Sequence, residues 1–254
     1  MPEPAETLMR HGRHRGSRPS ARRPLDGVLS GAGAERPVWR GRTLAAVGLL
    51  ASAIALAGCA GSAKREVDSP ASSMRDAEIQ AEAGFASIQK GDWDTARLLL
   101  ARALINAERG KAPPAGQALL NYQYGRTLGV ACAWEEAERH LQRAAQLDEQ
   151  RGASPHLAIY ELALMKQHQR RYDEAVKYFQ QLIPMIEKQG LRETYPWGVA
   201  DAYDRLASSL MASGRMAEAV APREEAQRIR AAHPTAEPFG ILTPYGSACA
   251  RAPA

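Results

Sequence analysis

The sequence predicts an all-α fold of about four antiparallel helix hairpins, preceded by an apolar signal segment and a tether. Three observations predict it. Helix-forming residues such as Ala, Leu, Gln and Arg dominate, and no run of alternating β-branched residues supports a strand. Four stretches repeat one pattern of bulky and small residues at helical spacing. A small residue also lies nine positions ahead of each pattern's leading bulky residue. With 45% hydrophobic residues in 254, the chain has the composition of a folded core rather than of a disordered segment.

The N-terminal part carries the charge. Residues 1–42 hold nine arginines against Glu3, Glu6, Asp26 and Glu35, which is the whole net excess of +5. From Cys59 onward, acidic and basic residues balance, so in a processed chain the charge argument for nucleic acid as a partner falls away. Residues 43–58, TLAAVGLLASAIALAG, are uncharged and follow Arg40 and Arg42. A basic lead, an apolar run and small residues at its end form a secretory signal, and the run is shorter than the roughly 20 residues a spanning helix needs. The run ends Leu56-Ala57-Gly58-Cys59, which resembles the lipobox of bacterial lipoproteins. That resemblance implies cleavage before Cys59, with covalent lipid on its thiol and no other cofactor. Ala60 rather than an aspartate follows, which by the same resemblance implies the inner, periplasmic face of the outer membrane. Residues 1–37 then form a disordered leader ahead of the signal at 38–58, through either a misassigned start or a leader removed with the signal. Residues 59–73, rich in small and polar types, read as a lipidated flexible tether.

Helical patterning runs over residues 74–233. The four stretches are GDWDTARLLLARAL, CAWEEAERHLQRAA, RRYDEAVKYFQQLI and GRMAEAVAPREEAQ, led by Trp93, Trp134, Tyr172 and Met216. The small residues nine positions earlier are Gly84, Gly125, Ala163 and Ala207. Such residues let two antiparallel backbones approach while the bulky ones close the turn end. The pairing resembles the tetratricopeptide repeat (TPR), which implies a superhelix of stacked hairpins with an inner groove. The leading residues are 41, 38 and 44 apart against about 34 in a standard repeat, which resembles the longer repeats of kinesin-light-chain-like proteins. The extra residues fall at RGKAPPAG, QRGASPH and KQGLRETYPWG, read as loops. Arg223 stands where an apolar residue is expected and Pro222 lies inside the last helix, which implies a kink or a polar cap. Residues 234–254 have no helical period and read as an irregular tail, either lying along the superhelix or free.

Little points to catalysis. Walker, HExxH and GxSxG motifs are absent, and Ser87-Ile88-Gln89-Lys90 fits SxxK without its KTG partner. His140, His156, His168 and His233 are scattered, and Cys59, Cys132 and Cys249 suit no zinc or redox spacing. Cys132 reads as a small half-buried turn residue, a bond to Cys249 being the minority alternative. The expectation is therefore a protein that is not an enzyme, binds no metal and takes no small-molecule substrate. The TPR resemblance implies a partner polypeptide held in the groove by Tyr122, Arg126, Tyr160, Gln167, His168, Asp201 and Asp204. Three functions stay open. The first is a membrane-anchored scaffold in the cell envelope. The others are a cell-wall enzyme, or a regulatory subunit of one or of a secretion or pilus machine, and a cytoplasmic adaptor.

Overall fold

The computed structural model describes residues 69–238 and 240–249. The leader, the apolar segment and Cys59 lie outside the described residues. Within them the secondary structure is helical, without a strand. The first hairpin pairs α1 (Pro70–Gln89) with α2 (Trp93–Arg109). The second pairs α3 (Pro114–Val130) with α4 (Trp134–Gln150), and the third α5 (His156–His168) with α6 (Tyr172–Lys188). After the single-turn α7 (Leu191–Thr194), α8 (Pro196–Ala212) pairs with α9 (Met216–Ala232). Successive hairpins stack through α2 on α3, α4 on α5 and α6 on α8. None of these helices is long and apolar enough to cross a membrane.

The boundaries show two departures from expectation and favour one of two alternatives for the last helix. Helix begins at Pro70, within the stretch read as tether. Ser69 caps it, its hydroxyl accepting from the Ser72 amide at 3.1 Å, and proline suits the first helical position. The connection between the third and fourth hairpins contains α7 rather than only a loop. The last helix runs unbroken through Pro222 without the backbone bond that proline cannot donate, and Arg223 stays exposed, as a polar cap would have it.

Each hairpin turn repeats one geometry. A left-handed residue precedes the bulky residue by two positions: Gly91, Cys132, Arg170 and Gly214, with φ of 75, 64, 60 and 82°. The next amide reaches back to close the turn, as from Ala133 to the Leu128 carbonyl at 3.0 Å and from Arg215 to Leu210 at 2.8 Å. Glycine takes this backbone freely, whereas a cysteine and an arginine hold it at a cost of about 1 kcal/mol.

The packing stripe fills as the pattern demands. Leu100, Leu141 and Phe179 are fully buried, flanked by the equally buried Ala96, Ala137 and Ala175. Met216, the last in its series, is exposed because no hairpin follows it among the described residues. A Cβ added to Gly84 would sit 2.9 Å from Leu100 Cγ, and one on Gly125 would sit 2.9 Å from Leu141 Cγ and 3.2 Å from the Ala137 carbonyl. Glycine in a helix interior costs up to about 1 kcal/mol against alanine, so these positions trade propensity for close approach. Gly125→Val is accordingly expected to destabilise the chain by about 1–3 kcal/mol through overpacking. Urea denaturation checks this; an unchanged midpoint would show that the two backbones are not in close contact.

Polar contacts tie the second hairpin to the third. Lys166 on α5 is fully buried, its ammonium 2.6 Å from Glu138 on α4 and 3.6 Å from Glu174 on α6.

Candidate functional site

The first helices of the last three hairpins, α3, α5 and α8, carry polar side chains at helical spacing, and these meet across the helices. Tyr160 on α5 donates to Asp201 on α8 at 2.5 Å. Asp201 also pairs with Arg205 at 2.6 Å, and Arg205 donates to the Gln167 side chain at 3.1 Å. Gln167 in turn donates to the Ser209 hydroxyl at 3.1 Å. Burial pushes the Tyr160 phenol well above its usual range, and the Asp201 charge adds to it. The phenol therefore stays a donor.

Between α3 and α5 the centre is an ion pair. Arg126 Nε lies 3.0 Å from the Glu161 carboxylate, and these residues are only 6% and 4% exposed. The guanidinium donates to the Gln123 side-chain oxygen at 2.8 Å and lies 5.5 Å from the ring centres of both Trp93 and Tyr122. Burial works against its charge, but Tyr122 and Glu161 outweigh that and raise its pKa. Tyr122 reaches Glu161 at 3.5 Å, the edge of hydrogen-bond range. Burial lifts the Tyr122 phenol above its usual range.

The pair is covered by the chain's own C-terminal segment. Ile241 presents its carbonyl to Arg126 Nη2 at 2.6 Å, and Thr243 accepts from Arg126 Nε at 2.8 Å. The same threonine hydroxyl lies 3.0 and 2.9 Å from the two Glu161 oxygens, to which it donates. Tyr245 donates to Glu161 Oε2 at 2.8 Å, and burial lifts its phenol well above the usual range. Its ring packs on Gly129, where a Cβ would come within 2.3 Å of the ring. The backbone then docks on the end of α3: Gly246 donates to the Gly129 carbonyl at 3.2 Å and Ala248 to Val130 at 3.1 Å. Cys249 finally bonds to Cys132, with Cα atoms 5.4 Å apart. A cavity of about 330 Å³ remains between residues 242–245 and the side chains of Gln167, His168 and Arg205.

Six of the seven residues expected on the groove, Tyr122, Arg126, Tyr160, Gln167, His168 and Asp201, fall within this continuous surface. His168 stacks 5.6 Å from Trp134 beside the tail. Asp204 does not join them; its carboxylate pairs with Arg230 on α9. Cys132 is the half-buried turn residue that the sequence suggests, and of its two readings the bonded one holds. Its left-handed backbone points the sulfur at Cys249, which the tail brings back across the second hairpin. Sequence reasoning missed Glu161, Arg205, Gly129, Thr243 and Tyr245. Glu161 had a signal, a lone carboxylate inside the apolar run LAIYELALM. Among the described residues no group of three or more His, Cys, Asp or Glu side chains could hold a metal ion.

Comparison with known proteins bears on the fold alone. The chain is similar to the crystal structure of BtubC (BKLC) from P. vanneervenii, with a TM-score of 0.59 and 16% identity over 65% of this chain and 67% of that one. It is also similar to the TPR-like repeats described as kinesin light chain from Podosopora anserina, with a TM-score of 0.53 and 20% identity over 69% of this chain and 82% of that one. No protein-family model and no curated protein matches the chain. The fold is TPR-like.

Proposed function

We propose that this protein is a lipid-anchored scaffold of the cell envelope that holds an extended partner polypeptide along α3, α5 and α8. The observation that carries this reading is the tail itself: a non-helical segment of polypeptide lies on that surface, read by buried charges through its carbonyl and hydroxyl groups. Helical-repeat surfaces bind polypeptide in this way. The lipid anchor rests on Leu56-Ala57-Gly58-Cys59 at the end of an uncharged run. Two or more acyl chains would hold the protein at the membrane, since each buried methylene contributes about 0.8 kcal/mol. A Cys132–Cys249 bond agrees with an oxidising compartment outside the cytoplasm.

A photo-crosslinking residue at Gln167, compared in cells with one at the exposed Lys177 on α6, tests the scaffold. A discrete crosslinked protein is expected from position 167 and not from 177. Equal or no capture at the two positions removes the groove from the reading. Palmitate labelling abolished by Cys59→Ala is expected for the anchor, and an unmodified peptide spanning residues 50–65 in the mature protein would refute it.

A further inference from the structure

We propose that the surface over α3 and α5 receives a segment of a different protein that carries the tail's own pattern: a hydroxyl residue, proline, tyrosine and glycine in that order. This rests on the scaffold reading and gives its occupant a chemistry. Exposure alternates along the tail. Thr243 and Tyr245 are 8% and 7% exposed, whereas Leu242 and Pro244 between and beside them face outward. The backbone bends tightly between the two, the Tyr245 amide donating to the Thr243 carbonyl at 2.9 Å and the Ser247 amide to the Pro244 carbonyl at 3.1 Å, and this bend presents the Thr243 and Tyr245 side chains together to the helices.

Each inward position meets a feature of the helices made for it. At Thr243 a single atom must accept from Arg126 and donate to Glu161, which a hydroxyl does and an aliphatic side chain does not. At Tyr245 the ring needs the missing Cβ of Gly129, and its hydroxyl ends on Glu161. Gly129 lies in the last turn of α3, where alanine would make the better helix; the gap serves the ring. At Gly246 the backbone has φ of 72° and a Cβ would lie 2.2 Å from His168 Nε2, so glycine follows the aromatic residue. Pro244 sits in the middle of the bend that the Tyr245 amide closes on the Thr243 carbonyl, a place where it needs no donor of its own.

The surface is longer than its resident. A cavity of about 330 Å³ lies beside Gln167 and Arg205, and the polar ladder continues to Tyr160 and Asp201 beyond the tail. A longer segment of the same pattern would occupy both parts. The resident leaves when its latch opens, and Cys249 is exposed. A dithiol opens the latch by exchange. One thiolate attacks Cys249 Sγ and Cys132 departs, taking up a proton. The second thiol resolves the mixed disulfide, so the dithiol is oxidised and two cysteine thiols are produced.

The test uses the full-length chain in detergent and a fluorescent peptide of residues 240–248. A tethered tail outcompetes free peptide through its high local concentration, so the tail is first disengaged by Thr243→Val, Tyr245→Ala and Cys249→Ser together. One-to-one binding to this variant is expected, at least ten-fold weaker to the disulfide-bonded wild type. Replacing threonine by valine or tyrosine by alanine in the peptide, or adding Gly129→Ala to the protein, should each weaken binding at least ten-fold with helicity unchanged. If the triple variant does not fold, Thr243→Val with Cys249→Ser, whose tail lacks both its hydroxyl contact and its latch, takes its place and the same ranking of peptides is expected. A scrambled peptide that binds equally, or a folded variant that binds none, overturns the proposal. Reduced wild type that doubles in mass by light scattering would give the groove to a second copy's tail and overturn it too. If position 167 still captures a protein in cells while the peptide fails, the scaffold stands and the pattern falls.

Discussion

Cys249→Ser is expected to lower the unfolding free energy by about 2–4 kcal/mol, the range for losing a native disulfide. The bond joins residues 117 apart in sequence, so breaking it frees the denatured chain from a very long closed loop. For a chain of this size the melting temperature should fall by roughly 4–16 °C. The loss has a second signature. Residues 241–249 should exchange amide hydrogens much faster, while the buried centres of α4 and α6 stay protected. The turn separates the bond from the backbone. Cys132 has φ of 64°, a conformation that its counterparts Gly91 and Gly214 adopt without penalty. Cys132→Gly should therefore retain about 1 kcal/mol that Cys132→Ser loses. Calorimetry of the three variants decides. A drop below 1 kcal/mol for Cys249→Ser would mean that the tail adds nothing to the folded state of the hairpins.

Arg126→Met is expected to cost about 3–5 kcal/mol, because it strands the Glu161 carboxylate, only 4% exposed, without its cation. Thr243 and Tyr245 still donate to that carboxylate, but hydroxyls do not balance a buried charge. Removing both charges should be milder than removing one. Arg126→Met with Glu161→Leu replaces a buried pair by apolar volume, a change that is often neutral or stabilising by about 1–4 kcal/mol relative to the pair. The double variant should thus lie well above Arg126→Met in urea titrations, and the cycle should not be additive. Additive losses would show that the two residues do not act as a pair.

The contrast between these variants and Gly125→Val marks what kind of information each carries. The close approach at Gly125 was readable beforehand, since a small residue nine positions ahead of a bulky one recurs four times; the fold supplied the contact itself, which is with Leu141 and the Ala137 carbonyl rather than with Trp134. The registers of Leu100, Leu141 and Phe179 were equally legible, since helical period and local turn residues fix a hairpin from neighbours in sequence. The polar surface was half legible. Tyr122, Arg126, Tyr160, Gln167, His168 and Asp201 were assigned from the face opposite the packing stripe. That argument fixes a face and not a partner, so Asp204, three residues from Asp201, was placed with them although it pairs with Arg230 on α9.

Sequence alone determined the helix pairs, their order and the turns, because each depends on residues a few positions to a few tens of positions apart. It also carries the whole case for an anchor at Cys59, which lies outside the described residues. Only the tertiary structure decided where the tail goes. Its contacts reach from Thr243 to Arg126 and Glu161, 117 and 82 residues away. No local preference directs them: the segment has no helical period, and its hydroxyls find partners only after the second and third hairpins have stacked and brought a buried arginine and a buried carboxylate face to face.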